Sequence, residues 1–330
     1  MAEAAPYSRI AVLGAGAWGT ALALAALAAA RETILWARGA ALADSLRATR
    51  TTPFLPGIAL PDALHATSDL SEAAQADALL LAVPAQVLGR FAAALAPAPG
   101  TPLVICAKGI EQGTGRLMDE VLLAARPDAV PAILSGPSFA RDVARGLPTA
   151  VTIAAKGDVA ARLQASLSSP SFRPYASDDL TGVALGGAAK NVYAIACGVV
   201  EGMGLGENAR AALLARSFAE LGRLGEALGA RRDTLMGLSG LGDLVLSATS
   251  RSSRNFSFGA DLGAGRPVAE LCAPGTPLAE GVATAPALVA RARAAGVELP
   301  IAEAVADLLA GTLSLGEAVM RLMTRRLRTE

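Results

Sequence analysis

Residues 9–30, RIAVLGAGAWGTALALAALAAA, constrain the fold of this chain more than any other stretch. An apolar run, residues 10–13, feeds Gly14, Gly16 and Gly19 in the spacing G-x-G-x-x-G, and an alanine- and leucine-rich segment comes next. In a chain with 34 glycines that spacing can arise by chance. A strand before it and a helix after it give it meaning. Gly14 permits the tight turn, Gly16 lets the backbone approach a pyrophosphate with no Cβ in the way, and Gly19 lets the helix pack closely on its strand. The N–H groups at the helix start then offer a site for negative charge. Residues 10–30 carry no charge and could instead form a membrane span or a signal peptide. A span does not concentrate three glycines at its start, and a signal peptide wants a basic leader where this chain has Glu3.

Residues 33–37 (TILWA) read as the second strand of a βαβ unit. At its end an NAD-specific site usually presents Asp or Glu to the ribose hydroxyls, and here Arg38 stands there instead. A guanidinium cannot accept from hydroxyls but pairs well with a 2′-phosphate, which favours NADP(H) and leaves NAD(H) possible. The alternative is an arginine that is simply solvated.

The 330 residues leave room for two domains, and 53% apolar content is ample for a core. Lys plus Arg and Asp plus Glu number 29 each, so no basic field draws the chain to nucleic acid or an anionic membrane, and a small molecule is the expected partner. Cys106, Cys197 and Cys272 are odd in number and far apart, as expected for thiols in a reducing cytoplasm and not for a disulfide frame or a zinc site. The single histidine, His65, leaves no His-rich metal site and no triad that does not use it; we read it as structural, and expect no metal.

Residues 65–67, 77–83 (DALLLAV), 103–107 (LVICA) and 129–134 (AVPAIL) read as further strands, with 150–155 and 172–176 as two more. Alternating with helical segments, they predict a largely parallel, doubly wound sheet. In such sheets the ligand crevice lies beyond the carboxyl ends of the strands, which singles out Gly14 to Gly19, Arg38, Pro84, Lys108 and Gly136 to Ala140. Lys108 could otherwise be an ordinary solvated lysine. From Asp179 onward helical patterns succeed one another, at 180–200, 208–228, 278–294, 301–309 and 315–322, so a domain of residues 1–178 is expected to give way to an all-helical one of 179–330.

Between Asp179 and Glu201 the only charged residue is Lys190. A lysine and an asparagine in mid-segment argue against a membrane span and for a buried helix. Desolvation there favours the neutral amine and brings its pKa into a range useful for proton transfer, unless the side chain snorkels to solvent. Asp243, after Gly240 and Gly242, suits a helix start, which is a sufficient structural reason for it. Ser253, Arg254 and Asn255 combine a hydroxyl, a fork-shaped cation and an amide suited to a phosphate, although a solvated turn would look much the same.

Taken together, GAGAWGTALA, FLPGIALP, CAKGIE, LSGPSFA, GLPTAV, ALGGAAKNVYAIACG, GLGENARAAL, LSGLGDLVLSATS, SRN and AEGVATA resemble, in order and over nearly the whole chain, the NAD(P)-dependent glycerol-3-phosphate dehydrogenases of bacterial type. The resemblance implies a Rossmann domain followed by an all-α domain, and interconversion of dihydroxyacetone phosphate and sn-glycerol 3-phosphate for phospholipid synthesis. It further implies Lys190 as the catalytic lysine, Lys108 as a lysine touching both substrate and cofactor, and Asp243 as a substrate-binding carboxylate that orients both. Ser253, Arg254 and Asn255, joined by Gly136 and Ser138, match the substrate-phosphate site. Ala140, Arg254, Leu278 and Glu280 match cofactor contacts, and Trp18 matches the tryptophan of the dinucleotide loop.

The chain departs from the family pattern in three places. Ala17 stands where serine is frequent, Phe256, Ser257 and Phe258 come after Ser-Arg-Asn where basic residues are common, and Leu278 replaces a β-branched residue. A β-hydroxyacid or sugar-acid dehydrogenase would share the domain order and the lysine, and a non-catalytic NADP sensor would share the turn. The sensor has no need of a desolvated lysine. Helical faces in the second domain could support a homodimer.

Overall fold

The computed structural model describes residues 4–324. Eight strands, β1 (Arg9–Leu13), β2 (Glu32–Trp36), β3 (His65–Thr67), β4 (Ala78–Leu81), β5 (Pro102–Ile105), β6 (Val130–Ser135), β7 (Thr149–Ala155) and β8 (Phe172–Ser177), form one sheet in the order β3-β2-β1-β4-β5-β6-β7-β8. All four residues of β4, and all four of β5, are buried, as the uninterrupted apolar runs require of strands covered on both faces. β8 alternates between buried and exposed positions over its first four residues and carries Pro174, which an edge strand tolerates.

All pairings are parallel except β6 with β7. After β6 the chain forms the short helix Ala140–Ala144 before β7 begins, and β7 runs back alongside β6. Strand order reverses at β1, which lies between β2 and β4, so the carboxyl ends of β1 and β4 define the crevice where such sheets take ligands.

No strand occurs after Ser177 among the described residues. The helix Leu180–Gly202 is the axis of this helical part, with every residue from Gly182 to Val199 buried. It is long and apolar enough to cross a membrane, and its apolar stretch is packed inside the protein. Close approach explains its glycines. A Cβ on Gly198 would lie 2.1 Å from the Phe256 carbonyl oxygen, and one on Gly259 would lie 2.1 Å from that of Ile195. Each glycine costs about 1 kcal/mol of helix propensity, offset here by letting the helix Arg254–Gly263 lie backbone to backbone against Leu180–Gly202.

The helices Glu207–Ala227, Glu280–Ala294, Pro300–Leu309 and Leu315–Met323 fall within two residues of the periodic segments read from the sequence. Arg232–Met236, Asp243–Ala248, Arg254–Gly263 and Val268–Leu271 have no counterpart among those segments.

Candidate active site

The glycine turn comes directly after β1. Gly14 has φ +126°, and a Cβ on it would lie 2.5 Å from the Ala82 carbonyl oxygen, so it permits both the turn and the contact with the end of β4. A Cβ on Gly19 would fall 1.8 Å from the Gly14 carbonyl oxygen, which explains how the helix Ala17–Ala28 lies so tightly on the turn. Around Gly16 there is open space. That helix has no side-chain cap at Gly16 and no acidic residue in its first turn, and the indole Nε1 of Trp18 is buried without a partner. Uncapped N–H groups, missing carboxylates and an orphaned donor fit a dinucleotide pyrophosphate. Ala17 contributes no hydroxyl, so backbone N–H groups must suffice.

Lys108 lies three residues beyond β5, past its carboxyl end, and its ammonium donates to Asp243 Oδ2 at 2.6 Å and to the Gly136 carbonyl at 3.0 Å. Lys190, midway along Leu180–Gly202, donates to Asp243 Oδ1 at 2.9 Å and to Ser247 Oγ at 2.8 Å. Asp243 opens the helix Asp243–Ala248 after a π-helical turn, Leu238–Gly242, and is 1% exposed. One buried carboxylate therefore bridges two ammonium groups, leaving a net positive cluster.

Burial is the main influence on Lys190 and pushes its pKa down to about 8, against the upward pull of Asp243 and with the charge of Lys108 adding to the depression. Burial also works to raise the Asp243 carboxyl, but the charges of Lys108 and Lys190 outweigh it and hold the carboxyl below its usual range. An ammonium with a pKa near 8 beside a fixed carboxylate can give or take a proton close to neutral pH.

Of the other sequence-expected positions, Gly136, Ser138 and Asn255 are tied to this cluster by hydrogen bonds. Gly136, at φ +148°, presents its carbonyl to Lys108 and also accepts from Ser138 Oγ at 3.0 Å. Ala140 begins the short helix Ala140–Ala144. Ser253 caps the helix Arg254–Gly263 through its Oγ, and Arg254 is exposed at the first helical position, with no hydrogen bond or ion pair among the described residues. Asn255 is buried, and its amide is engaged with Asn191 and Gly281. Glu280 starts the helix Glu280–Ala294. Burial pushes its carboxyl above the usual range, opposed by the charge of Arg254 and by the Ala85 backbone N–H. Arg38 and Leu278 are exposed.

Two residues of the site escaped sequence reasoning. Ser247 sits four residues after Asp243, on the same helix face, and that spacing was the available signal. Asn191 is next to Lys190 in the chain and donates to the Lys108 carbonyl at 3.1 Å. Its polarity within an apolar helix was the only hint.

Residues 9–161 match the family described as NAD-dependent glycerol-3-phosphate dehydrogenase N-terminus, and residues 179–320 match its C-terminus counterpart. The chain is 54% identical to a glycerol-3-phosphate dehydrogenase (NAD(P)+) of Parvibaculum lavamentivorans, over 98% of each chain. It is 56% identical to one from Rhodopseudomonas palustris, over 97% of this chain and 98% of the other. A crystal structure of glycerol-3-phosphate dehydrogenase from Coxiella burnetii is 36% identical, with a TM-score of 0.90 over 97% of this chain and 99% of that one.

Proposed function

The chain belongs to the NAD-dependent glycerol-3-phosphate dehydrogenase family, and from that membership and the buried ion cluster we propose that Lys190 and Lys108 bracket the carbonyl of dihydroxyacetone phosphate. The protein is an NAD(P)-dependent oxidoreductase that interconverts this ketone and sn-glycerol 3-phosphate. A bound NAD(P)H supplies the hydride for the ketone carbon. The turn from Gly14 to Gly19 with Ala17 and Trp18 would hold its pyrophosphate, Ala140, Leu278, Glu280, Arg254 and Lys108 would border it, and Arg38 would meet a 2′-phosphate.

Donor counting carries the reading. An ammonium has three N–H groups. Lys190 spends two, on Asp243 and Ser247, and Lys108 spends two, on Asp243 and the Gly136 carbonyl, so each has one left for a carbonyl oxygen. As the oxygen gains negative charge both N–H groups strengthen their bonds to it, and Lys190 passes its proton to it, leaving a neutral amine. In the reverse direction that amine takes the proton from the alcohol. Asp243 keeps both ammonium groups aimed and offsets their repulsion. The guanidinium of Arg254, the hydroxyl of Ser253 and the start of Arg254–Gly263 suit the substrate phosphate, with Asn255, Gly136 and Ser138 lining its approach.

We divide the chain into a nucleotide domain of residues 1–178 and a substrate domain of 179–330, assign the product to phospholipid synthesis, and place the enzyme in the cytoplasm, in keeping with its unpaired cysteines. Met320 and Met323 are exposed together on Leu315–Met323 and support a homodimer, which light scattering would detect. The test of the activity is a spectrophotometric assay of dihydroxyacetone phosphate with NADPH and NADH separately. Turnover with both and a preference for NADPH is expected. Turnover of β-hydroxyacids without turnover of dihydroxyacetone phosphate would overturn the substrate.

A further inference from the structure

Asn191 and Asn255 form a buried chain of hydrogen bonds whose two ends are both backbone groups of the site. The Gly281 N–H donates to Asn255 Oδ1 at 2.9 Å, Asn255 Nδ2 donates to Asn191 Oδ1 at 2.9 Å, and Asn191 Nδ2 donates to the Lys108 carbonyl at 3.1 Å. The side chains come from two different helices, and the ends lie on a third helix and on the loop after β5. Asn191 is 4% exposed and Asn255 8%.

The ends dictate the chemistry between them. A backbone N–H can only donate and a backbone carbonyl can only accept, so each intervening residue must offer an acceptor on one side and a donor on the other. Primary amides do this; a carboxylate does not. Aspartate at position 191 would set oxygen against the Lys108 carbonyl. At position 255 it would set oxygen against Asn191 Oδ1, and rotating that amide would only pass the conflict on to Lys108. Gly281 belongs to the same device, because a Cβ there would lie 2.7 Å from the Asn191 carbonyl oxygen and 2.9 Å from Asn255 Oδ1.

We propose that Asn191 and Asn255 act together as positioning residues, fixing the backbone of Lys108 relative to the start of the helix that carries Glu280. Both amide atoms of Asn255 are committed to this relay, so its main effect is on the spacing between the two lysines and the nucleotide side of the crevice. The inference rests on the site reading above, with Glu280 and Lys108 bordering the nucleotide. Cutting the relay at either asparagine leaves buried polar groups unmatched and has the same consequence.

The test compares Asn191→Asp and Asn255→Asp, and separately Asn191→Ala, Asn255→Ala and the double alanine variant. Three readouts serve: NADPH affinity by nucleotide fluorescence in the absence of ketone, kcat/KM with dihydroxyacetone phosphate, and kcat/KM with dihydroxyacetone, which lacks the phosphate. Each single variant should weaken NADPH binding about tenfold and lower kcat/KM about tenfold or more with both ketones, the scale of an unmatched buried polar group. The double alanine variant should be no worse than the poorer alanine single, because one break already severs the chain and the second alanine leaves no further group unmatched. The alanine variants, which introduce no facing oxygens, give the same comparison should an aspartate variant fail to fold. Unchanged NADPH affinity in both single variants, multiplying losses in the double, or an Asn255 defect confined to the phosphorylated ketone would overturn the relay. A wild-type protein that binds NADPH but turns over neither ketone would overturn the substrate reading and leave the affinity comparison standing.

Discussion

The two halves of the site are built in opposite ways. The dinucleotide turn is six consecutive residues, Gly14 to Gly19, whose function lies in what the backbone can do when side chains are absent. The ion cluster draws Lys108, Lys190, Asp243 and Ser247 from three distant parts of the chain, and its function lies in side chains that would be ordinary if exposed. A local sequence can specify the first by itself. The second exists only when the long buried helix, the π-helical turn and the end of β5 are packed together, and the same packing shifts the Lys190 pKa.

This contrast predicts that damage to one half should leave the other working. Lys190→Ala removes the proposed proton donor and should lower kcat at least ~10²-fold, while NADPH affinity measured by fluorescence stays within about threefold. A sensor would keep its function in that variant. Asp243→Asn leaves two mostly buried ammonium groups without a counter-ion, and should cost about 3–5 kcal/mol in denaturant unfolding at neutral pH along with most of the activity. With the counter-ion gone, Lys190 releases its proton more readily when folded than when unfolded. The folded Lys190 pKa then falls below the wild-type value of about 8, so part of the stability lost relative to wild type should return as pH rises toward 8.

Gly19→Ala should show the opposite profile to Lys190→Ala. Its new Cβ would collide with the Gly14 carbonyl, so nucleotide affinity should fall by about tenfold or more while the Lys190–Asp243 contact persists. The smallest effect is expected from Arg38→Ala, which should weaken NADPH by about tenfold and leave NADH unchanged in parallel titrations. An equal loss for both nucleotides would remove Arg38 from the 2′-phosphate.

Most of the sheet was legible because parallel strands covered on both faces must be continuous apolar runs, and β3 appears at the three residues the sequence suggested. The reversal of β7 was not legible, since it depends on where a short helix leaves the chain and not on any residue pattern. Helices of four to six residues, such as Asp243–Ala248 and Val268–Leu271, are too short to display a period. Lys190 stood out as a charge in an apolar helix. Ser247 did not, because serine in LVLSATS looks like any other until Lys190 is brought within 2.8 Å of it. Asn255 was readable as a phosphate ligand by type, and its engagement with Asn191 and Gly281 became visible only once three helices were in place.

The central claim is that one group, the Lys190 ammonium, delivers the proton in one direction and removes it in the other. The direct measurement is the pH dependence of kcat/KM in both directions at saturating nucleotide, for the wild type and Lys190→Ala. Ketone reduction should decline tenfold per pH unit above a midpoint near 8, alcohol oxidation should rise tenfold per unit below the same midpoint, and both limbs should vanish in Lys190→Ala. Limbs that survive unchanged in the alanine variant would contradict the account, because the titrating acid would then be some other group.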